Sequence, residues 1–209
     1  MSSAITTPIA DRSDQRFLLV LSAASGATDA FAFLCLGKVF AGVMTGNLVL
    51  VGASVGAGDR DAVPRAVIAL AGYALGAAGA SQAAARLAPR LLLTIQTALL
   101  ALAGAGWGLG SGRSTGTQLA LLFAAALAMG VQARAWGTPT TYFTGTFTNL
   151  AGRLARREAE HADRWVAGRL AAVVAGAALT SLLVWCCSPA AGAAGVALCA
   201  AAFALPVRG

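Results

Sequence analysis

The chain has 209 residues, of which 58% are hydrophobic and only 11% charged, and its mean hydropathy is +0.74. A soluble domain carries roughly 25% charged residues, so this chain has too few charges to cover a water-facing surface. The net charge of +7 raises nucleic acid as a partner, but the basic residues flank apolar segments instead of gathering on one face, which points to the lipid bilayer and not to nucleic acid.

The N-terminal stretch MSSAITTPIADRSDQR is polar and carries two acids. It lacks the basic region and short apolar core of a signal peptide, so the first membrane segment is expected to insert uncleaved. A bilayer core needs about 20 apolar residues in helix. Phe17–Leu36 qualifies, as does Val39–Ala57. Pro64–Ala85 opens with proline, a favourable first-turn residue. Leu91–Gly110 follows, and then a polar break at Ser111–Gln118. Leu119–Trp136, the short threonine-rich Thr140–Ala155, the long Trp165–Cys187 and Ala190–Leu205 complete the chain. Trp136, Trp165 and Trp185 stand near segment ends, where interfacial anchors sit. The expected fold is all-α: one integral membrane domain over residues 1–209, a polytopic bundle of six to eight spanning segments, with eight preferred.

The two halves resemble one another. Thr45-Gly46 aligns with Thr144-Gly145, Arg65 then meets Arg164, and a small-residue helix follows in both. We read two repeats, about 17–110 and 117–208, with a TG motif in each. Four crossings per repeat would leave them in the same orientation, whereas three crossings with a re-entrant TG segment would invert one. With eight crossings and the N-terminus inside, only Lys38, Arg86, Arg90 and Arg134 fall outside, and the other eleven arginines fall inside. That bias predicts a multi-pass protein of the inner (plasma) membrane with a cytoplasmic N-terminus.

The informative residues are the polar ones inside apolar segments. In VMTGNLVLVG (Val43–Gly52), the amide of Asn47 costs several kcal/mol in hydrocarbon unless it is bonded. Asn47 should therefore face protein or water. Thr45, Gly46 and Asn47, with Thr144, Gly145 and Thr146, admit two readings. They pack helices together, or they line a polar cavity between the repeats. Asp29 is the one acid inside an apolar segment, where insertion costs roughly 2.5–3.5 kcal/mol. Arg134, Lys38, Asn47 and Gln132 are its expected partners. Gln132 stands where the repeat puts a polar residue opposite Asp29. Asp29 makes a structural hydrogen bond or ion pair, is a proton or cation site, or is a carboxyl placed near the interface and wetted there.

No catalytic constellation is present: there is no HExxH, GxSxG or P-loop, and the single histidine, His161, lies in a charged loop. The protein is expected not to be an enzyme and to need no cofactor or metal. Cys35, Cys186, Cys187 and Cys199 form no CxxC pair and read as small buried hydrophobes.

SGATDAFAFLCLGKVFAGVMTGNLVLVG resembles the N-terminal signature of the YoaK-like family of bacterial integral membrane proteins, which carry a domain of unknown function. AMGVQARAWGTPTTYFTGTFTNLAGRLA resembles it in the second half. The resemblance implies a compact polytopic protein, often supposed to transport something, with no substrate attached. The matching positions are Gly26, Asp29, Ala30, Thr45, Gly46, Asn47, Gln132, Thr144, Gly145 and Thr146. The expected function is transport of an unknown small solute or ion, with Asp29 as the coupling carboxylate. The alternative is a non-transporting partner, scaffold or lipid-binding protein. A homodimer is allowed for, because so short a chain leaves little protein to enclose a path.

Overall fold

The computed structural model describes residues 12–84, 86–110, 114–135 and 143–205. Trp136, the start of the Thr140–Ala155 segment and most of the N-terminal tail lie outside the described residues. Eight α-helices follow one another: α1 (Arg12–Cys35), α2 (Met44–Ala57), α3 (Ala62–Ala83), α4 (Pro89–Gly108), α5 (Thr115–Ala135), α6 (Thr144–Ala155), α7 (Asp163–Cys186) and α8 (Ala193–Phe203). A short 3-10 turn, Ser188–Ala190, precedes α8. There is no strand among the described residues. Five helices, namely α1, α3, α4, α5 and α7, are long and apolar enough to cross a membrane. Met44–Ala57 and Ser188–Phe203 are apolar but shorter. This is the build of a membrane protein.

Side-chain neighbours fix the direction of each helix. Along α1 and α7, Leu19 lies over Gly168, and Thr180 Oγ1 donates to the Ala27 carbonyl at 3.1 Å. Numbers rise together, so the two run the same way. Along α3 and α5, Gly72 faces Phe123, Gly76 faces Leu127, and Arg134 Nε donates to Ser81 Oγ at 2.8 Å. These two also run together. By contrast, α4 and α5 are opposed, since Gly106 faces Leu121 while Gln96 meets Gln132. The helix α8 opposes both α1 and α4: Thr28 faces Gly195 and Phe31 faces Gly192, while Gly104 faces Gly192 and Gln96 meets Cys199. Thus α1, α4 and α7 run from a near end, where α1 begins, to a far end. The helices α3, α5 and α8 return.

The two parallel pairs pack closely because glycine removes a side chain at each crossing. A Cβ at Gly26 would collide with the Val173 carbonyl, and one at Gly176 with that of Ala23. In the other pair, a Cβ at Gly76 would collide with the Leu127 carbonyl, and one at Gly130 with that of Tyr73. Close backbone approach of this kind holds helices together where lipid supplies no hydrophobic drive between them. The core between the pairs is built from small and medium residues, among them Ala24, Ala32, Leu100, Leu122, Ala125 and Met129.

The Val39–Ala57 segment does not run from one end to the other. After Cys35 at the far end, Leu36–Val43 folds back into the bundle, and the Gly42 amide reaches Asp29, well before the end of α1. The helix α2 then climbs back out. Its left-handed C-cap, Gly58, turns the chain into α3, whose Arg65 lies against Gly37 at the far end. Apolar count alone could not see this, because Val39 and Ala41 are buried yet not helical. The helix α6 is bounded by the near-end termini of α5 and α7, and Arg153 of α6 is paired with Asp163, the first residue of α7.

Cys35 and Cys199 are buried as expected, but Cys186 and Cys187 are exposed. The outer face of α7, which also presents Val174, Leu182 and Trp185, is apolar and uncovered. In a membrane such a face meets lipid, so an apolar sequence there does not signal burial in protein.

Candidate functional site

Two polar assemblies interrupt the apolar interior. The first is the fold-back between α1 and α2. Asn47, fully buried, clasps one peptide by both edges. The Phe40 N–H donates to its Oδ1 at 2.9 Å, and its Nδ2 donates to the Phe40 carbonyl at 2.7 Å. A side-chain amide thus stands in for a neighbouring strand and satisfies backbone that no helix serves. Gly46 leaves room for the Phe40 ring, which a Cβ would meet at 3.2 Å. That ring stacks on Phe33 at 5.2 Å. The next support is Asp29, whose Oδ1 accepts from the Gly42 N–H at 2.6 Å. The amides of Ala41 and Val43 flank the same carboxylate. Asp29 is half-buried, and Met129 of α5 approaches the same spot. A carboxylate that takes backbone amides needs no cation beside it.

The four partners expected for Asp29 are engaged elsewhere. Lys38 Nζ lies over the Phe33 ring, 5.2 Å from its centroid. Arg134 bonds Ser81, and Asn47 holds Phe40. Gln132 belongs to the second assembly. Its Oε1 accepts from Gln96 Nε2 at 2.5 Å, and its Nε2 donates to the Leu21 carbonyl at 3.1 Å. Gln96 Nε2 also lies 3.1 Å from Cys199 Sγ, and both glutamines are fully buried. Gln96 Oε1 has no partner. Sequence reading singled out Gln132 but not Gln96, although Gln96 is likewise an amide inside an apolar segment.

The TG motifs are not brought together with these groups. Thr45 is exposed, and Gly46 and Asn47 serve the fold-back. In α6, Thr144 and Gly145 are exposed, Thr146 is half-buried, and a Cβ at Gly145 would meet nothing. Among the described residues, the second motif makes no clasp like that of Asn47. Other polar residues of α1 are buried by bonding within their own helix: Ser22 Oγ donates to the Leu18 carbonyl at 2.7 Å and Thr28 Oγ1 to the Ala24 carbonyl at 2.8 Å. Among the described residues, no three His, Cys, Asp or Glu side chains gather as a metal site would require.

No curated protein and no solved structure matches the chain. Residues 17–205 match a family described as protein of unknown function, DUF1275, which is consistent with the YoaK-like resemblance of the two motifs. With that match covering most of its length, the chain belongs to the DUF1275 family.

Proposed function

We propose that the protein is a transporter of a small solute or ion, built from two inverted repeats. The observation that carries this reading is the fold-back at Asp29: an acid within an apolar helix holds the amide of a chain break that re-enters the bundle. Transporters of inverted-repeat design place their sites at such discontinuous segments. The helices α1, α3, α4, α5, α7 and α8 cross, and α2 and α6 re-enter from opposite ends. The matched glycine crossings support the repeat, since Gly26 corresponds to Gly130 and Gly76 to Gly176. In that register Gln132 corresponds to Thr28, and Asp29 to Ala133. Only the first half then offers a titratable group.

The orientation follows from charge. Among the described residues, Lys38, Arg60 and Arg65 belong to the far end, and the remaining arginines belong to the near end. The near end then faces the cytoplasm of a bacterial inner membrane. Re-entrant TG segments give as strong a bias as eight crossings would.

One observation favours the second reading, a non-transporting partner or scaffold: Thr45, Thr144 and Gly145 face outward, away from the buried amides. The two readings separate in reconstituted vesicles, with wild type beside Asp29→Asn and a panel of solutes driven by a pH gradient. Flux that the variant loses, with fold unchanged, supports coupling at Asp29. Flux untouched by the variant removes Asp29 from the mechanism. A silent wild type favours the partner reading.

A further inference from the structure

A groove at the near end, between α1 and α7, belongs to neither polar assembly. It encloses about 500 Å³ and is lined by Arg16, Leu19, Arg164, Trp165 and Gly168. Its chemistry is divided. Arg16 and Arg164 stand at the mouth, both exposed, while Leu19 and Gly168 form an apolar floor. The Arg164 guanidinium lies over the Trp165 ring, 5.6 Å from its centroid, which holds the charge beside an aromatic suited to the headgroup level.

Among the described residues, no acid lines the groove. Asp14 is absent from the lining. Asp163, which precedes Arg164, is already occupied: Arg153 Nε donates to its Oδ1 at 2.9 Å and the Glu160 N–H donates to its Oδ2 at 3.0 Å. Among the described residues, ion pairs engage Arg153 and Arg156, and neither Arg16 nor Arg164 has a carboxylate partner. One turn deeper on α7, Arg169 is buried with its Nε unpaired, in line with Gly176 and Thr180 on the side that faces α1. Among the described residues, Arg16 and Arg164 thus line one interhelical groove without an ion-pair partner.

We propose that this groove binds the phosphate of an anionic phospholipid between Arg16 and Arg164, with the start of an acyl chain over Leu19 and Gly168. A basic pocket between membrane helices with an apolar floor matches a lipid that is charged at one end and oily at the other. A free phosphate ester shares the charge but leaves the floor uncovered. This site is independent of Asp29 and of transport.

The test is native mass spectrometry of the purified full chain with added phosphatidylglycerol or phosphatidylcholine. Four proteins are compared: wild type, Arg16→Gln/Arg164→Gln, Arg16→Lys/Arg164→Lys and, at the far end, Arg60→Gln. Wild type should retain phosphatidylglycerol about tenfold better than phosphatidylcholine, given the attraction of each basic side chain for anionic lipid. The glutamine pair should lose that preference, and the lysine pair and Arg60→Gln should keep it. Equal retention of the two lipids by wild type, or a preference unchanged in the glutamine pair, overturns the site. If free glycerol 3-phosphate displaces phosphatidylglycerol completely, the phosphate recognition stands but the lipid source is overturned. Gel filtration and circular dichroism check the fold. Should the glutamine pair misfold, Arg16→Gln and Arg164→Gln are read singly, each with a partial loss expected.

Discussion

Gly76 and Gly176 each sit at a close contact between two parallel helices: the first meets the Leu127 carbonyl of α5, and the second meets the Ala23 carbonyl of α1. Each lets a helix from one half of the chain press against a helix from the other. Gly76→Val and Gly176→Val should therefore each destabilise the protein by about 1–3 kcal/mol, the usual range for overpacking. Gly79, where a Cβ would meet nothing, is the control. Gly79→Ala should be neutral or gain up to about 1 kcal/mol from helix propensity. Thermal unfolding in detergent measures all three, and a large loss at only one of the two crossings would refute their equivalence.

Asn47 gives a second prediction. Asn47→Ala removes two hydrogen bonds and strands the N–H and C=O of Phe40 inside the bundle. The expected cost is about 2–4 kcal/mol, set by two buried groups left unpaired. Asn47→Asp should also destabilise, because an ionised carboxylate cannot donate to the Phe40 carbonyl. Thr146 is the aligned residue of the second motif, where no clasp forms among the described residues, and Thr146→Ala should fall within about 0.5 kcal/mol of wild type. The same unfolding measurement decides it, and equal losses at Asn47 and Thr146 would contradict the asymmetry of the two motifs.

The path of α2 can be checked by labelling. Single cysteines at Lys38 and Asp59, which flank α2, should react with a membrane-impermeant maleimide from the same side. A cysteine at Glu158, beyond α6, should react from the opposite side. The background has its four native cysteines replaced. If α2 crossed the bilayer, Lys38 and Asp59 would label from opposite sides.

Much of the helix pattern was legible from apolar length and punctuation. Phe17–Leu36 anticipates α1, Pro64–Ala85 anticipates α3, and Leu91–Gly110 anticipates α4, which begins two residues earlier at Pro89. Direction was less legible. Val39–Ala57 is long and apolar enough for a crossing, but part of that length is the non-helical fold-back that Asp29 and Asn47 stabilise. Hydropathy registers that a residue is oily and says nothing about where its backbone bonds go. For the same reason the sequence named Asp29, Asn47 and Gln132 as polar residues in need of partners, yet missed what those partners are. The first two use backbone, and the third uses Gln96, from a helix with no marked motif.

The pairing of α1 with α7, and of α3 with α5, bears on how the protein is made. A ribosome delivers α1 long before α7. Until then Gly26 and the Ala27 carbonyl have no helix to meet, and Asp29 has only the early fold-back to hold. Neither half can settle by itself, so maturation waits for the last part of the chain, as expected when contacts join residues distant in sequence. A nascent chain arrested after α4 would carry α1 and α3 without the helices they pair with, and would be a substrate for membrane quality control.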